Sequence, residues 1–408
     1  MATFVDGKVY EKRKVYDRFG ILIKDPPQRY QNPEWLHVTA KIAALRASSS
    51  VVTVIARRDR DDKISHKKKK KKRKRNWITY FSGSGIIFEC EEESVDATYA
   101  TTVLTPASPL LRDFEIEVDV ALSDGKLCKS QVVACDYYYN LAVLRIMTDI
   151  PLQPANMRSL DDGLSIHPTQ PLSLDPDGKS FRLRPHSNLF KILPDDKVIA
   201  LSRRYNDPYF LDFDVAHFSM ERPSNECHEF FYVKGIDGIN YNGGPVINYS
   251  GEMIGILFHE SSFLPSNVIS RWWKHYKTHR EFRRPWLGFE VANPYTAQSG
   301  FLEQLLLKFP GFSTGLLVVK VEEGSPAYCS GIRDSDVIVQ INGVLVQSTL
   351  EFFEKTWDKV GEAVELEVIR ESTGGQLNIS TTIGEVTPEK FPKRSRGVPR
   401  EVPGLFLA

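Results

Sequence analysis

The sequence predicts a mainly β chain built as two modules. Three observations carry that expectation: short apolar or alternating runs recur between turn signals up to about residue 260, a stretch free of Gly and Pro follows, and a compact series of strand and helix signals begins after Pro285. With 408 residues the chain exceeds one ordinary domain and suffices for two, each with a sizeable core. The 41% hydrophobic and 26% charged content is that of a folded globular protein rather than a disordered or fibrous one.

Residues 1–39 read as an N-terminal extension without the apolar region of a signal peptide or the acid-poor character of a transit peptide. Nowhere do 18 consecutive apolar residues occur, so no membrane span is expected, and the expected location is nucleus or cytoplasm. The first module covers 40–265. It opens with the β-branched run 50–56, is interrupted by a basic loop at 57–76, and resumes with strand signals at 77–81 and 83–88. Within the loop, Lys67, Lys68, Lys69, Lys70, Lys71, Lys72, Arg73, Lys74 and Arg75 form an unbroken run of cations that repel one another and should be solvated. Further strand signals at 114–121, 131–134, 141–146, 197–201, 210–218, 230–234 and 253–258 point to an all-β barrel or sandwich. Between them lies a Pro-rich insertion, 151–190, whose six prolines predict a long surface loop.

A linker helix is expected over 266–284. The second module, 285–385, reads as strand 286–291, helix 301–307, strand 315–321, short helix 324–330, strand 337–341 with the turn Asn342-Gly343, helix 350–359 and strand 363–370. The tail 386–408 is basic and Pro-rich. Five scattered cysteines with no C-x-x-C spacing argue against a disulfide framework and against a zinc site, and no cofactor or metal is expected.

Within the second module, Gly324-Ser325-Pro326-Ala327, Gly331-Ile332, Asp336-Val337-Ile338 and Ile341-Asn342-Gly343 resemble the motif series of the PDZ domain, and Arg284-Pro285-Trp286-Leu287-Gly288-Phe289 resembles its carboxylate-binding loop and following strand. The first module resembles the trypsin-like domain of the Deg/HtrA (protease Do-like) family. Gly83-Ser84-Gly85-Ile86-Ile87 is similar to that family's G-S-G-F-I-I segment, 140–146 to D-L-A-V-L-K-I, and 242–248 to S-G-G-P-L-x-N. The resemblance implies a mainly β fold: a chymotrypsin-like double β-barrel followed by a PDZ domain of β-sandwich type with two helices. It further implies peptide binding at the backbone of Leu287, Gly288 and Phe289, since such a domain adds an extended peptide to a sheet edge.

The same motifs place Ser108 where the family has its catalytic His, Asn140 at the Asp position and Asn242 at the nucleophilic Ser, so the triad is degenerate at every position. Acyl transfer by a serine triad requires a hydroxyl nucleophile, an imidazole to accept and return its proton, and a carboxylate to orient the imidazole. An amide nitrogen is a poor nucleophile, and a serine hydroxyl is no general base near pH 7. The vestigial oxyanion loop would comprise Asn240, Tyr241, Gly243 and Gly244, with Asn240 replacing a glycine two residues before the nucleophile position; asparagine tolerates positive φ, so the loop could still form.

These readings lead to a catalytically inactive, Deg/HtrA-like pseudoprotease, not an enzyme, that binds extended peptides or protein C-termini through its PDZ domain and a vestigial substrate groove. Homo-oligomers or hetero-oligomers with active relatives are the further partners implied. The first alternative is an active serine endopeptidase using other groups, the nearby imidazoles being His217, His228 and His259 and the nearby hydroxyls Ser219, Ser224 and Ser250. The basic run predicts a nuclear localisation signal and so a nuclear import receptor as partner. Nucleic-acid binding by that run is the second alternative: it would be non-specific and salt-dependent, because the net charge of +1 leaves no wider basic surface.

Overall fold

A computed structural model describes residues 38–59, 77–93, 98–110, 116–164, 189–203, 210–220, 227, 229–310, 312–370, 372 and 374–387. Before these it describes only two short strand pairs, Thr3–Val5 with Lys8–Tyr10 and Val15–Tyr16 with Leu22–Ile23. The basic run 67–75, the centre of the 151–190 insertion, His228, Ser224 and the tail from 388 lie outside the described residues.

The first module consists of two closed six-stranded barrels. The strands of the first are β1 (Val51–Asp59), β2 (Trp77–Glu93), β3 (Thr98–Pro106), β4 (Ile116–Ala121), β5 (Leu127–Asp136) and β6 (Leu141–Thr148). Every neighbouring pair is antiparallel, in the order β6-β3-β2-β1-β4-β5, and β5 closes on β6. The β-branched stretch Val51-Val52-Thr53-Val54-Ile55 suits a pleated, two-sided surface, and all five side chains are buried. Val52, Val54, Val103, Val120 and Leu144 belong to the core of this barrel.

The second barrel comprises β7 (Lys197–Arg203), β8 (Leu211–Ser219), β9 (Phe231–Lys234), β10 (Pro245–Ile247), β11 (Met253–Leu257) and β12 (Ser262–Pro265). Its order is β7-β8-β9-β12-β11-β10, closed by β10 on β7. Aromatic rings fill it: Phe218 packs edge-on to Phe231 and Phe263, and Phe230 edge-on to Phe258. Helix α1 (Val38–Ala47) precedes the barrels and buries Ala40, Ala43, Ala44 and Ala47 against Ile199, Leu201 and Ile247. That i, i+3, i+4, i+7 alanine face lets the helix backbone approach closely.

The structure corrects the expectation that 151–190 is one surface loop. Residues 151–164 are a strap bonded to both barrels: Ala155 N–H donates to Ile87 O at 2.8 Å, Arg158 N–H to Met253 O at 2.8 Å and Met253 N–H to Asn156 O at 2.7 Å. Proline removes only its own donor, so the residues between prolines still pair, and Leu160 is buried.

The linker helix α3 runs Ser266–His279, with the short helix α2 (Gly238–Tyr241) before it in the second barrel. One face of α3 buries Val268, Ile269, Trp272 and Trp273, and Arg280, in a left-handed conformation, closes its end with an N–H donated to Tyr276 O. The second module follows: β13 (Pro285–Trp286), β14 (Phe289–Ala292), α4 (Ser299–Lys308), β15 (Leu316–Val321), α5 (Pro326–Ser330), β16 (Val337–Ile341), β17 (Val344–Leu345), α6 (Thr349–Thr356), β18 (Ala363–Arg370), β19 (Gly375–Thr382) and β20 (Gly384–Glu385). Its sheet has the order β14-β15-β16-β18-β19, with β17 paired to β16, while β20 pairs with β13. The single strand expected over 286–291 is two, broken at Leu287-Gly288, where Gly288 has φ +79°.

The modules meet over α3, α6 and the β5–β6 turn. Thr349 Oγ1 donates to Asp162 Oδ2 at 2.6 Å, Asn267 Nδ2 to Glu354 Oε1 at 3.0 Å, and Arg271 pairs with Asp358 at 2.9 Å. Trp357 stacks on Tyr139 with ring centres 6.2 Å apart.

Candidate functional site

The structure brings together the positions singled out in the first module. Ser108 opens a short turn after β3, and Asn140 immediately precedes β6; the Ser108 N–H donates to Asn140 Oδ1 at 2.7 Å, and the Ala107 N–H to Asn140 O at 3.0 Å. Asn140 has φ 54°, a left-handed conformation that asparagine tolerates because its short polar side chain bonds locally. Asn242 ends α2 and reaches the same place: its carbonyl accepts from Ser84 N–H at 3.1 Å. Gly243, with φ +83°, packs so closely that a Cβ there would lie 2.2 Å from Ser84 O and 2.6 Å from Pro106 Cδ, two residues before Ser108. The interface between the barrels thus carries a hydroxyl and two amides. Asn242 Oδ1 is enclosed without a hydrogen-bond partner, an arrangement that ordinarily costs about 1–3 kcal/mol.

Asn240 lies in α2 and does not use the positive φ that asparagine tolerates. Asp237 caps α2, its Oδ1 accepting from Ile239 N–H at 3.1 Å, and the helical turn directs the Asn240 N–H to Asp237 O, also at 3.1 Å. Asp is a favoured N-cap residue, so Asp237-Gly238 starts a short helix here. Gly243 N–H donates to Leu257 O and Gly244 N–H to Tyr241 O, while Tyr241 is buried with its hydroxyl 3.1 Å from Asp214 Oδ2. Of the described histidines nearby, His217 points Nδ1 at the carbonyl of Asp195, 3.2 Å away, and His259 sits exposed in a turn.

The second site lies in the second module. Leu287, Gly288 and Phe289 line one wall of a cavity of about 50 Å³, and Phe352, Phe353 and Thr356 of α6 line the other. Gly288 is needed there, since a Cβ would fall 2.1 Å from Ser325 Cβ. Its carbonyl accepts from Glu322 N–H at 2.7 Å, and that of Leu287 from Ala327 N–H at 3.0 Å, which turns this loop into the cavity mouth. Tyr138 and Glu229, both from the barrels, also line this cavity, and no pattern in the sequence pointed to them.

Behind the loop, Arg284 is buried, 5% exposed, between the rings of Tyr138 and Tyr139, 4.7 and 4.9 Å from their centres. Its guanidinium pairs with Asp136 Oδ2, which also accepts from Trp272 Nε1 at 2.7 Å, and Asp136 Oδ1 accepts from Tyr138 N–H at 2.9 Å. Burial pushes Arg284 down to about 9, with Glu385 opposing, so it stays charged at neutral pH. Burial, and after it the charge of Glu229, pushes the Tyr138 and Tyr139 hydroxyls well above their ordinary range.

Residues 285–381 match the PDZ domain family model. Across the barrels as well, the chain is 22% identical over 320 residues to the Arabidopsis thaliana protein named "Putative protease Do-like 14", covering 75% of this chain and 65% of that one. It is 23% identical over 303 residues to Serine protease Do-like HtrA of Bacillus subtilis, covering 71% and 61%. The chain is a Deg/HtrA-family homologue. Human Serine protease HTRA4 matches at 33% identity over 132 residues, only 28% of its length, so this Deg/HtrA homologue spans less than two thirds of each of these relatives. The solved structure of HtrA-type protease AlgW with tripeptide has the same fold, with a TM-score of 0.51 at 18% identity over 86% of this chain and 98% of AlgW.

Proposed function

We propose that this Deg/HtrA homologue is a non-catalytic protein that binds extended peptide segments, through the cavity between Leu287–Phe289 and α6 and through the surface between its barrels. The observation that supports the reading is the occupancy of the three motif positions by Ser108, Asn140 and Asn242, a hydroxyl and two amides where the family's motifs carry imidazole, carboxylate and hydroxyl. Proton transfer near pH 7 has no acceptor among those three groups. The Asn240 N–H, engaged with Asp237 O, is a second obstacle, because oxyanion stabilisation needs a donor facing the reacting oxygen. A peptide-binding role survives these losses, since it rests on backbone edges and apolar walls rather than on the three side chains.

The test is cleavage of unstructured β-casein, with labelling by a fluorophosphonate, for the intact chain and two variants. The parent is expected to be silent in both assays. Ser108→His, Asn140→Asp, Asn242→Ser is expected to gain little, and the same variant with Asn240→Gly to gain more, as the turn is freed. Cleavage by the parent that copurifies with the chain and is blocked by the phosphonate would overturn the non-catalytic reading.

A further inference from the structure

The cavity beside Leu287–Phe289 is completed by the barrels. Glu229 precedes β9 and Tyr138 follows β5, more than 50 residues before the PDZ module, yet both line the same cavity as Leu287, Gly288 and Phe352. Glu229 is buried, 6% exposed, and Tyr139 Oη lies 3.1 Å from its Oε1. The Tyr139 hydroxyl donates to that carboxylate and so holds the Glu229 side chain in place beside the cavity. Arg284, the cation directly before the loop, is buried, and its guanidinium is paired with Asp136.

We infer that Glu229 sets the ligand preference of this groove: the cavity takes an internal segment of an extended chain, whose end at the Leu287-Gly288 loop carries no free carboxylate, over a protein C-terminus. The inference rests on the peptide-binding reading above. A terminal carboxylate placed at the loop would share a partly desolvated space with the Glu229 carboxylate. Like charges brought together where water is scarce repel far more than in bulk, whereas an uncharged amide at the same place meets no such opposition. The preference is built from a clash supplied by the neighbouring barrel rather than from any added contact to the favoured ligand.

The experiment measures binding of the intact chain to a set of fluorescent decapeptides ending in three apolar residues, each prepared as the free acid and as the C-terminal amide. The amides stand in for internal segments. The parent is expected to bind amides at least as tightly as acids. Glu229→Gln, which keeps the side-chain shape and an acceptor for Tyr139, is expected to raise affinity for the acids on the order of tenfold while moving the amides less than about twofold. Preference of the parent for the acids, or an acid-to-amide ratio unmoved by Glu229→Gln, would overturn the inference and leave peptide binding standing. If neither form binds parent or variant while both are folded by circular dichroism, the peptide-binding reading itself fails. Should the variant not fold, the acid-to-amide ratio of the parent alone decides.

Discussion

Replacing Asp136 with alanine removes the anion that the junction between the modules is built around. Asp136 is 3% exposed and serves three donors: the Arg284 guanidinium, Trp272 Nε1 at 2.7 Å and the Tyr138 N–H at 2.9 Å. Removing one partner of a buried ion pair costs about 3–5 kcal/mol because the other charge stays behind. The two further donors left without an acceptor push the Asp136→Ala loss toward the upper end of that range. Against a total stability of about 5–15 kcal/mol, the loss is large enough to read in urea denaturation followed by tryptophan fluorescence, Trp272 reporting from the site itself. The charge argument makes a sharper claim about the double variant. Adding Arg284→Met to Asp136→Ala removes the stranded cation, so the double variant should be more stable than the single one by at least about 1 kcal/mol. A loss below about 1 kcal/mol for Asp136→Ala at unchanged m, or a double variant less stable than the single, would refute the reasoning.

Two further outcomes follow from local geometry. Gly243→Ala should destabilise by more than about 2 kcal/mol, since the added methyl meets a backbone oxygen at 2.2 Å at a φ of +83°, and the same denaturation experiment reads it; a loss under about 0.5 kcal/mol would show that this close approach relaxes freely. His275 is held below its ordinary value of 6.5 by burial and then by His279, 4.5 Å away between ring centres, with Asp358 and Glu281 opposing and Arg283 adding to the depression. Because the folded form releases the proton more readily than the unfolded form, the contribution of His275 is full above 6.5 and is lost as pH falls toward the folded value. His275→Gln should therefore flatten the decline in stability between pH 7 and pH 5, and parallel profiles for parent and variant would contradict the assignment.

The parts legible in the sequence are those that local chemistry dictates. The β-branched run at 51–55 and the strand Ala363–Arg370 declare themselves through side chains that fit a pleated surface, and the motif series of the PDZ module sits on the turns and helix starts it implied. The linker helix is legible through a stretch without Gly or Pro, though it ends at His279 rather than at 284, where Arg280 takes a left-handed conformation. What stayed hidden is what only packing decides. The strap at 151–164 looked like a loop because its prolines mask the intervening donors, and Ser262–Pro265 is a strand only because β9 and β11 flank it. The helical turn at Asn240 has a local signal in Asp237-Gly238, a helix start, which the sequence reading did not use. Glu229 carried no signal, because its neighbour across the cavity, Gly288, is far along the chain.

The groups at the three motif positions and the groups that join the modules are different ones. The side chains at Ser108, Asn140 and Asn242 make only local contributions, a turn bonded across 2.7 Å and an enclosed amide oxygen without a partner. The junction that fixes the PDZ module against the barrels uses other groups: Asp136, Arg284, Trp272 and the stacked pair Tyr139 and Trp357. Tyr138 and Tyr139 directly precede Asn140, so the turn that leads into Asn140 also contributes Tyr138 to the lining of the cavity beside Leu287–Phe289. On the proposed reading, changes at Ser108, Asn140 and Asn242 leave the junction untouched, whereas changes at Asp136 or Arg284 act on stability and on the cavity together. The Asp136→Ala and Glu229→Gln variants separate these cases, because the first acts on the Arg284–Trp272 junction and the second on a side chain that lines the cavity.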